Sequence, residues 1–198
     1  MLRYFIIHKP YMVLSQFSPS EGKKTLKDFF PVPADVYPVG RLDFDSEGLL
    51  LLTNDKELNN RLLNPVFHHA REYWAQVEGS VHSEALSKLQ SGVLINVGGK
   101  LYTTKKCTAV VFENPPAVPP RNPPIRFRKD IPTTWIRIIL TEGKNRQVRK
   151  MTAAVGHPTL RLIRIRIEQL SIDDLRPGEM KEINRLETYS RLFDKRNP

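Results

Sequence analysis

Four consecutive leucines, Leu49 to Leu52, constrain the fold of this chain more than any other segment. A short apolar run closed by Thr53-Asn54-Asp55 predicts a fully buried strand followed by a turn. Residues 40–48 precede the run, begin and end with glycine, and predict a polar loop presented on that rigid strand. Asp43 therefore lies where a reactive carboxylate is commonly held. The plainer alternative is a turn whose Asp and Ser side chains only accept hydrogen bonds from nearby backbone N–H groups.

The remaining patterns predict many short strands and few helices. The expected strands cover 2–8, 71–79, 104–112, 133–140 and 160–168, and the expected helices cover 55–63, 82–90 and 145–155, the last with Asn145 as its cap. Residues 114–124 contain six prolines and can only form a loop. Because no βαβ rhythm is present, the fold class is α+β with a mainly antiparallel sheet. We expect one catalytic domain of two sublobes over 1–198, with a polar C-terminal tail at 185–198.

The positive charge of the chain is concentrated in one segment. The net charge is +10, and residues 121–166 contain 12 Lys and Arg against 2 acidic residues, whereas the other 152 residues carry 19 basic and 19 acidic groups. A solvated basic surface would usually be spread along the chain, so this concentration favours a nucleic-acid partner. Contacts to the backbone of that nucleic acid are expected from Arg146, Lys150, Arg164, Arg166, Arg126 and Arg128.

Several classes of protein are excluded by the sequence. No apolar run approaches the roughly 20 residues that a membrane span needs, and the apolar patch near the N-terminus is too short for a signal peptide. The single cysteine, Cys107, cannot form an internal disulfide, and no Cys/His spacing suggests a metal site. We therefore expect a cytoplasmic protein without a metal, and a monomer, because no surplus apolar stripe is present.

Several motifs resemble those of the RNA pseudouridine synthases, in the RsuA branch. Gly40-Arg41-Leu42-Asp43 with the segment 46–55 is similar to the catalytic motif of that family. A Lys-Pro motif at 8–15, Glu72-Tyr73, and the segments 142–151 and 155–164 follow in the family's order, so the resemblance covers residues 5–183. It implies the pseudouridine synthase fold, in which two lobes of one extended sheet flank a catalytic cleft. Many members begin with an S4 RNA-binding domain, which we expect to be absent because the Lys-Pro motif starts at residue 9.

The resemblance also implies the residues of the site. Asp43 would be the catalytic carboxylate, Arg149 its cationic partner, and Tyr73 the aromatic ring that stacks on the uracil. Leu162 would form an apolar wall, and Arg41 would fill the gap left by an extruded base. Three of these residues have a structural alternative: a phosphate contact for Arg149, which would leave Arg146 as the rival partner, and a core position for Tyr73 and Leu162.

The reaction implied by the resemblance breaks the N1–C1′ bond of a uridine, turns the uracil and rejoins it through C5. It involves no redox change or external group, so no cofactor is expected. The uridine must first leave the base stack, at a cost of about a few kcal/mol. Two features are most typical of the members that act on large-subunit (23S) ribosomal RNA. These are the sequence of the segment 121–126 and the expected absence of an S4 domain.

Two other functions and one mechanistic choice stay open at this point. A basic RNA-binding protein could use the same fold without catalysis, but it has no need of a carboxylate among phosphate-binding groups. A nucleoside hydrolase would pair Asp43 with Asp45 or Glu47 as acid and base and would release free uracil. The sequence also leaves open whether Asp43 attacks the substrate covalently or abstracts a ribose proton.

Overall fold

The structure is a computed structural model, and it describes residues 1–125, 128, 130–172 and 174–194. It divides into two compact units: unit 1 comprises Met1–His69 and Arg164–Pro198, and unit 2 comprises Ala70–Ile163. Arg126, expected to contact RNA, lies outside the described residues. Within the described ranges, none of the helices has the length and apolar character needed to cross a membrane.

The secondary structure consists of short strands and four helices over the described residues. In chain order the elements are β1 (Tyr4–Lys9), β2 (Val13–Leu14), β3 (Lys24–Thr25), β4 (Tyr37–Pro38), β5 (Glu47–Thr53), α1 (Lys56–Leu63), β6 (Arg71–Glu78), α2 (Ser83–Ser91), β7 (Leu94–Val97), β8 (Lys100–Thr103), β9 (Thr108–Val111), β10 (Thr133–Leu140), α3 (Gln147–Ala154), β11 (Thr159–Ile167), β12 (Leu170–Ser171), β13 (Met180–Ile183) and α4 (Arg185–Phe193). Short 3₁₀ turns cover Leu26–Asp28 and Pro65–Phe67.

Unit 1 is built around the leucine run. Strand β1 lies between β5 and β13 and is antiparallel to both, with Lys9 opposite Gly48 at the end where the loop 40–46 enters β5. All seven residues of β5 are buried, which confirms the predicted buried strand. Its alternate leucines pack into a core with β1, α1, β12 and α4; this core contains Tyr4, Ile6, Val39, Leu49, Leu51, Leu58, Leu62, Ile167, Leu170, Ile172, Ile183 and Leu192.

Asp55 caps the N-terminus of helix α1, as the sequence predicts. One carboxylate oxygen of Asp55 accepts hydrogen bonds from the backbone N–H groups of Glu57 at 3.0 Å and Leu58 at 3.1 Å. The other oxygen accepts from the hydroxyl of Tyr4 at 2.7 Å and that of Tyr189 at 2.8 Å. The same carboxylate therefore caps the helix and joins α1 to β1 and α4.

Asp55 makes the stability of the protein depend on pH. Burial alone would raise the pKa of its carboxyl, but hydrogen bonds from Tyr4, Leu58, Tyr189 and Glu57 to the charged form outweigh burial and hold the pKa below its usual value. A lowered folded pKa contributes stability above the unfolded value of about 3.9, and this contribution is lost as the pH falls through the folded pKa. Asp55→Asn should therefore lower the free energy of unfolding at neutral pH by about 1–3 kcal/mol.

Urea unfolding at neutral pH and at successively lower pH tests this prediction. The stability difference between wild type and Asp55→Asn should shrink as the solution is acidified. Asp194→Asn, which changes an exposed carboxylate just after α4, is the matched control and should follow the wild type throughout. A difference that stays constant down to acid would contradict a role for the charge of Asp55.

Unit 2 is built on an antiparallel sheet in which β10 lies between β6 and β9. Helices α2 and α3 cover an apolar core that contains Ala75, Val77, Leu89, Ile95, Ala109, Ile136, Ile138, Leu140, Val148, Met151 and Leu162. The α+β class with mainly antiparallel pairing is confirmed. The hairpin of β7 and β8 was not predicted. Its solvent-facing positions include apolar residues such as Leu94 and Leu101, so its sequence does not alternate between apolar and polar residues as a half-buried strand does.

The C-terminal residues differ from the expected polar tail. Residues 185–193 form helix α4, whose N-cap Asn184 accepts a hydrogen bond from the backbone N–H of Glu187 at 2.8 Å. Leu192 is buried, and Tyr189 and Phe193 pack against the core of unit 1. The apolar residues are spaced for one helix face, but the many charged residues between them made the segment look like a tail.

Candidate active site

The loop that carries Asp43 is held by hydrogen bonds on both sides of that residue. Before it, the backbone N–H of Leu42 donates to the Ser15 hydroxyl oxygen at 3.0 Å, and the same hydroxyl donates to the carbonyl of Leu42 at 2.8 Å. After it, the N–H of Ser46 donates to the carbonyl of Asp43 at 3.1 Å and closes a four-residue turn. Asp43 itself is half-buried, and Arg41, two residues before it, is exposed. The backbone on both sides of Asp43 is thus fixed.

The exit of the loop requires a glycine. Gly48 has a φ of +106°, and a Cβ added there would lie 2.2 Å from the carbonyl oxygen of Arg164. The Nε of Arg164 in turn donates to the carbonyl of Leu49 at 2.8 Å. The backbones of the loop exit and of β11 therefore approach so closely that any side chain at position 48 would collide with β11.

A buried lysine lies beside the acidic loop. The Lys9 side chain is fully buried, and its Nζ donates to the carbonyls of Val13 at 2.7 Å and Pro10 at 3.0 Å. Burial lowers the pKa of Lys9 to about 7, although the carboxylates of Glu47, Asp45 and Asp43 act in the opposite direction. Two opposing effects thus determine the charge on Lys9 near neutral pH: burial favours the neutral amine, and the carboxylates of the loop favour the ammonium form.

The other residues that the resemblance implies lie in unit 2. Tyr73 on β6 is half-buried and packs against the core of that unit, and Leu162 on β11 is 5% exposed within the same core. Arg149 on α3 is half-buried, and its Nη1 donates to the carbonyl of Thr159 at 3.3 Å. A pairing of Arg149 with Asp43 stays a prediction, as do the uracil contacts of Tyr73 and Leu162.

Helix α3, which carries Arg149, starts later than predicted. The expected cap was Asn145, but the N-cap is Arg146 with a φ of +53°, and the helix begins at Gln147. The reason is the side chain of Gln147, whose Oε1 accepts from the N–H of Lys144 at 2.8 Å while its Nε2 donates to Glu142 at 2.5 Å. This side chain closes the turn over 144–147 in place of an Asn cap.

Glu142 is a buried carboxylate next to α3 that the sequence did not single out. It is 9% exposed, and besides Gln147 it accepts hydrogen bonds from the Tyr102 hydroxyl at 2.5 Å and the Lys105 N–H at 2.9 Å. Burial alone would raise the pKa of Glu142, but these donors hold the pKa below its ordinary value. Glu142 belongs to the segment 142–151, but Tyr102 lies on β8 and Lys105 just after it, 40 and 37 residues away in sequence, so the pattern alone could not reveal these contacts.

The expected RNA-contacting residues differ in exposure. Arg146 and Arg128 are exposed, Arg128 in an ion pair of 3.0 Å with Glu78, and Lys150 and Arg166 are half-buried. Arg164 is only 4% exposed and donates to Leu49, so we withdraw it as a contact to the RNA backbone. Its backbone lies against Gly48 and its side chain bonds Leu49, so the strand β5 covers it, whereas its charge in the sequence was taken as a sign of exposure.

Comparisons with known proteins identify relatives across most of the chain. The family model for RNA pseudouridylate synthase matches residues 3–154. "Ribosomal large subunit pseudouridine synthase E" from Vibrio parahaemolyticus serotype O3:K6 is 47% identical over 181 residues, covering 91% of this chain and 74% of the relative. The protein of the same name from Xanthomonas campestris pv. campestris is 47% identical over 178 residues, covering 89% and 92%. The similarity expected from the motifs is confirmed.

A solved structure shows the same fold. The crystal structure of a pseudouridylate synthase superposes with a TM-score of 0.77 at 24% sequence identity, covering 94% of this chain and 72% of that one. At this identity the likeness concerns the fold alone.

Proposed function

The chain belongs to the RNA pseudouridylate synthase family, and we propose that it converts one uridine of large-subunit (23S) ribosomal RNA to pseudouridine. It is an rRNA pseudouridine synthase, as its relatives of 47% identity are. The choice of the large subunit follows the names of those relatives. One observation carries the chemistry: the half-buried carboxylate of Asp43 stands in a turn whose backbone is hydrogen-bonded on both sides.

The reaction sets four demands on the site. It needs a carboxylate at the ribose, a cation that keeps the carboxylate ionised, a surface for the detached uracil, and exclusion of water. We assign the carboxylate to Asp43 and the cation to Arg149 from the motifs of the family. An arginine that comes within about 4–6 Å of a carboxyl lowers its pKa by roughly 1–3 units, which would keep the carboxylate charged. Tyr73 would stack on the uracil and Leu162 would border it.

Binding of the RNA must precede the chemistry. The uridine leaves the base stack, at a cost of about a few kcal/mol that is smallest in loops and distorted helices. Arg41, exposed and two residues before Asp43, would occupy the vacated position. Arg146, Lys150, Arg166 and Arg128 would hold flanking phosphates. We further propose that the enzyme acts as a monomer in the cytoplasm, on RNA recognised by shape rather than by a groove code.

Mapping of pseudouridine in ribosomal RNA tests the proposal. Ribosomal RNA transcribed without modifications is incubated with the protein, and both the modified positions and any free uracil are measured. The proposal predicts one new pseudouridine in 23S RNA and no free uracil. Modification confined to small-subunit RNA would overturn the choice of substrate. Free uracil without pseudouridine would point instead to a hydrolase, and binding without either product to an RNA-binding protein.

The affinity for RNA should depend on salt through Lys150. This residue lies on α3 with the basic residues of the charged segment, and each phosphate contact contributes a slope of about −0.7 to −0.9 to the plot of log K against log salt. Lys150→Ala should weaken binding of all RNA sequences alike and reduce the slope by about that amount. Filter binding over a range of salt concentrations measures both effects.

Lys88→Ala provides the matched control for this measurement. Lys88 is an exposed lysine on α2 that pairs with Glu84 at 2.7 Å, outside the charged segment. Its removal should leave the salt slope unchanged. Equal slopes for Lys150→Ala and wild type would remove Lys150 from the proposed contacts.

A further inference from the structure

Ser15 makes a pair of hydrogen bonds that the proposed chemistry does not use. Its hydroxyl accepts from the N–H of Leu42 at 3.0 Å and donates to the carbonyl of Leu42 at 2.8 Å, across 27 residues of sequence. Ser15 is 6% exposed and Leu42 is 7% exposed, so bulk water has little access to either backbone group. The hydroxyl thus satisfies both polar groups of the residue immediately before Asp43.

We propose that Ser15 is a positioning residue that fixes the direction in which Asp43 leaves the backbone. The inference rests on the proposed catalytic role of Asp43. Because Ser46 holds the carbonyl of Asp43 from the other side at 3.1 Å, the peptide groups on both sides of Asp43 are fixed. Of the two residues that hold these peptide groups, Ser46 belongs to the same turn as Asp43, whereas Ser15 lies outside the loop.

The segment that carries Ser15 is itself anchored, as a positioning role requires. The Nζ of Lys9 donates to the carbonyl of Val13 at 2.7 Å, and Val13 and Leu14 form β2, which pairs with β3. The N–H of Leu26 donates to the carbonyl of Gln16 at 2.9 Å. The Ser15 hydroxyl is therefore presented by a segment fixed before and after it, and it can transmit that rigidity to the loop.

The loss of this anchor should affect catalysis more than binding. A displacement of about 1 Å at a reacting group costs on the order of 10²-fold in rate. The basic residues that would bind RNA do not contact Ser15 in any described interaction, so affinity for RNA should be preserved. Ser15→Ala should lower kcat by about 10- to 100-fold with KM nearly unchanged, the pattern of an interaction that serves the transition state.

The control must lose an equivalent hydrogen bond away from the site. Thr188 on α4 is fully buried in unit 1, and its hydroxyl donates to the carbonyl of Asn184 at 2.8 Å. Thr188→Val removes that hydroxyl while keeping the shape of the side chain. It should reduce stability towards urea to a similar extent as Ser15→Ala but leave kcat at the wild-type value.

Steady-state kcat and KM for pseudouridine formation, RNA affinity and urea unfolding are compared for wild type, Ser15→Ala and Thr188→Val. A loss of kcat confined to Ser15→Ala supports the inference. Equal kcat in all three proteins, or equal losses in both variants, would overturn it. Ser15→Cys, which retains the size of the side chain and a weak donor, serves if the alanine variant fails to fold. An intermediate kcat for Ser15→Cys supports the inference, and a wild-type kcat overturns it.

The failure of this inference can be distinguished from failure of the proposed function. Asp43→Asn is measured in the same assay. If Asp43→Asn retains activity, the catalytic role of Asp43 is wrong. If Asp43→Asn is inactive while Ser15→Ala is fully active, only the positioning role of Ser15 is wrong.

Discussion

Asp43→Asn is expected to abolish pseudouridine formation while the protein still folds and binds RNA. The substitution keeps the shape of the side chain and removes its charge, so it should leave the turn closed by Ser46 intact. An amide can neither attack the substrate nor accept a proton from the ribose. Groups that act as nucleophile or general base contribute about 10²–10⁴-fold or more to the rate. We therefore expect kcat to fall by at least about 10³-fold, measured by single-turnover formation of pseudouridine.

Asp45→Asn is the matched control, because it changes a half-buried carboxylate in the same turn. It should retain most of the activity, since the proposed reaction uses one carboxylate at the ribose. An inactive Asp45→Asn protein that folds and binds RNA would indicate a second catalytic carboxylate and favour acid–base hydrolysis. Substantial activity in Asp43→Asn would contradict the proposed chemistry.

Gly48→Ala should have the largest effect on stability. The new Cβ would lie 2.2 Å from the carbonyl oxygen and 2.7 Å from the amide nitrogen of Arg164, neither of which can rotate away as a flexible side chain can. The φ of +106° adds a backbone strain of about 1–3 kcal/mol, and overpacking adds about 1–3 kcal/mol. We expect a loss of about 3–5 kcal/mol in the free energy of unfolding, measured in urea.

Gly22→Ala separates the collision from the backbone strain. Gly22 has a φ of +67° in the same unit, but no atom lies within 4 Å of an added Cβ. This variant should lose only about 1–2 kcal/mol, from strain alone. Equal losses in the two variants would mean that β11 moves aside at little cost and that the close approach is unimportant.

The elements that were predicted correctly depend on local patterns. The leucine run of β5 and the Asp55 cap of α1 are specified by residues close in sequence, and both are present as expected. Helix α3 was misplaced at its start because a glutamine side chain, rather than a standard cap residue, closes the turn before it. A side chain that folds back on its own backbone has no strong sequence signature.

Burial of charged residues was the less predictable part of the site. Arg161 and Arg164 count towards the charge of the basic segment, yet they are 5% and 4% exposed. A charged side chain is rarely buried, so sequence reasoning places it on the surface by default. The contact of Ser15 with Leu42 and the partners of Glu142 join segments distant in sequence, and no local pattern encodes them.

The division of unit 1 between the two ends of the chain has a consequence for biosynthesis. Unit 2 is one continuous segment, whereas β1 needs β13, and Tyr4 pairs with Ile183. During translation, contiguous domains fold as their residues emerge from the ribosome. Unit 2 is therefore available for folding before unit 1 is complete, because β1 can pair with β5 early but gains its second neighbour, β13, only after unit 2 has been made. The loop 40–46 leads to Gly48, which packs against Arg164 of β11, so the surroundings of Asp43 are completed only after unit 2 has been synthesised.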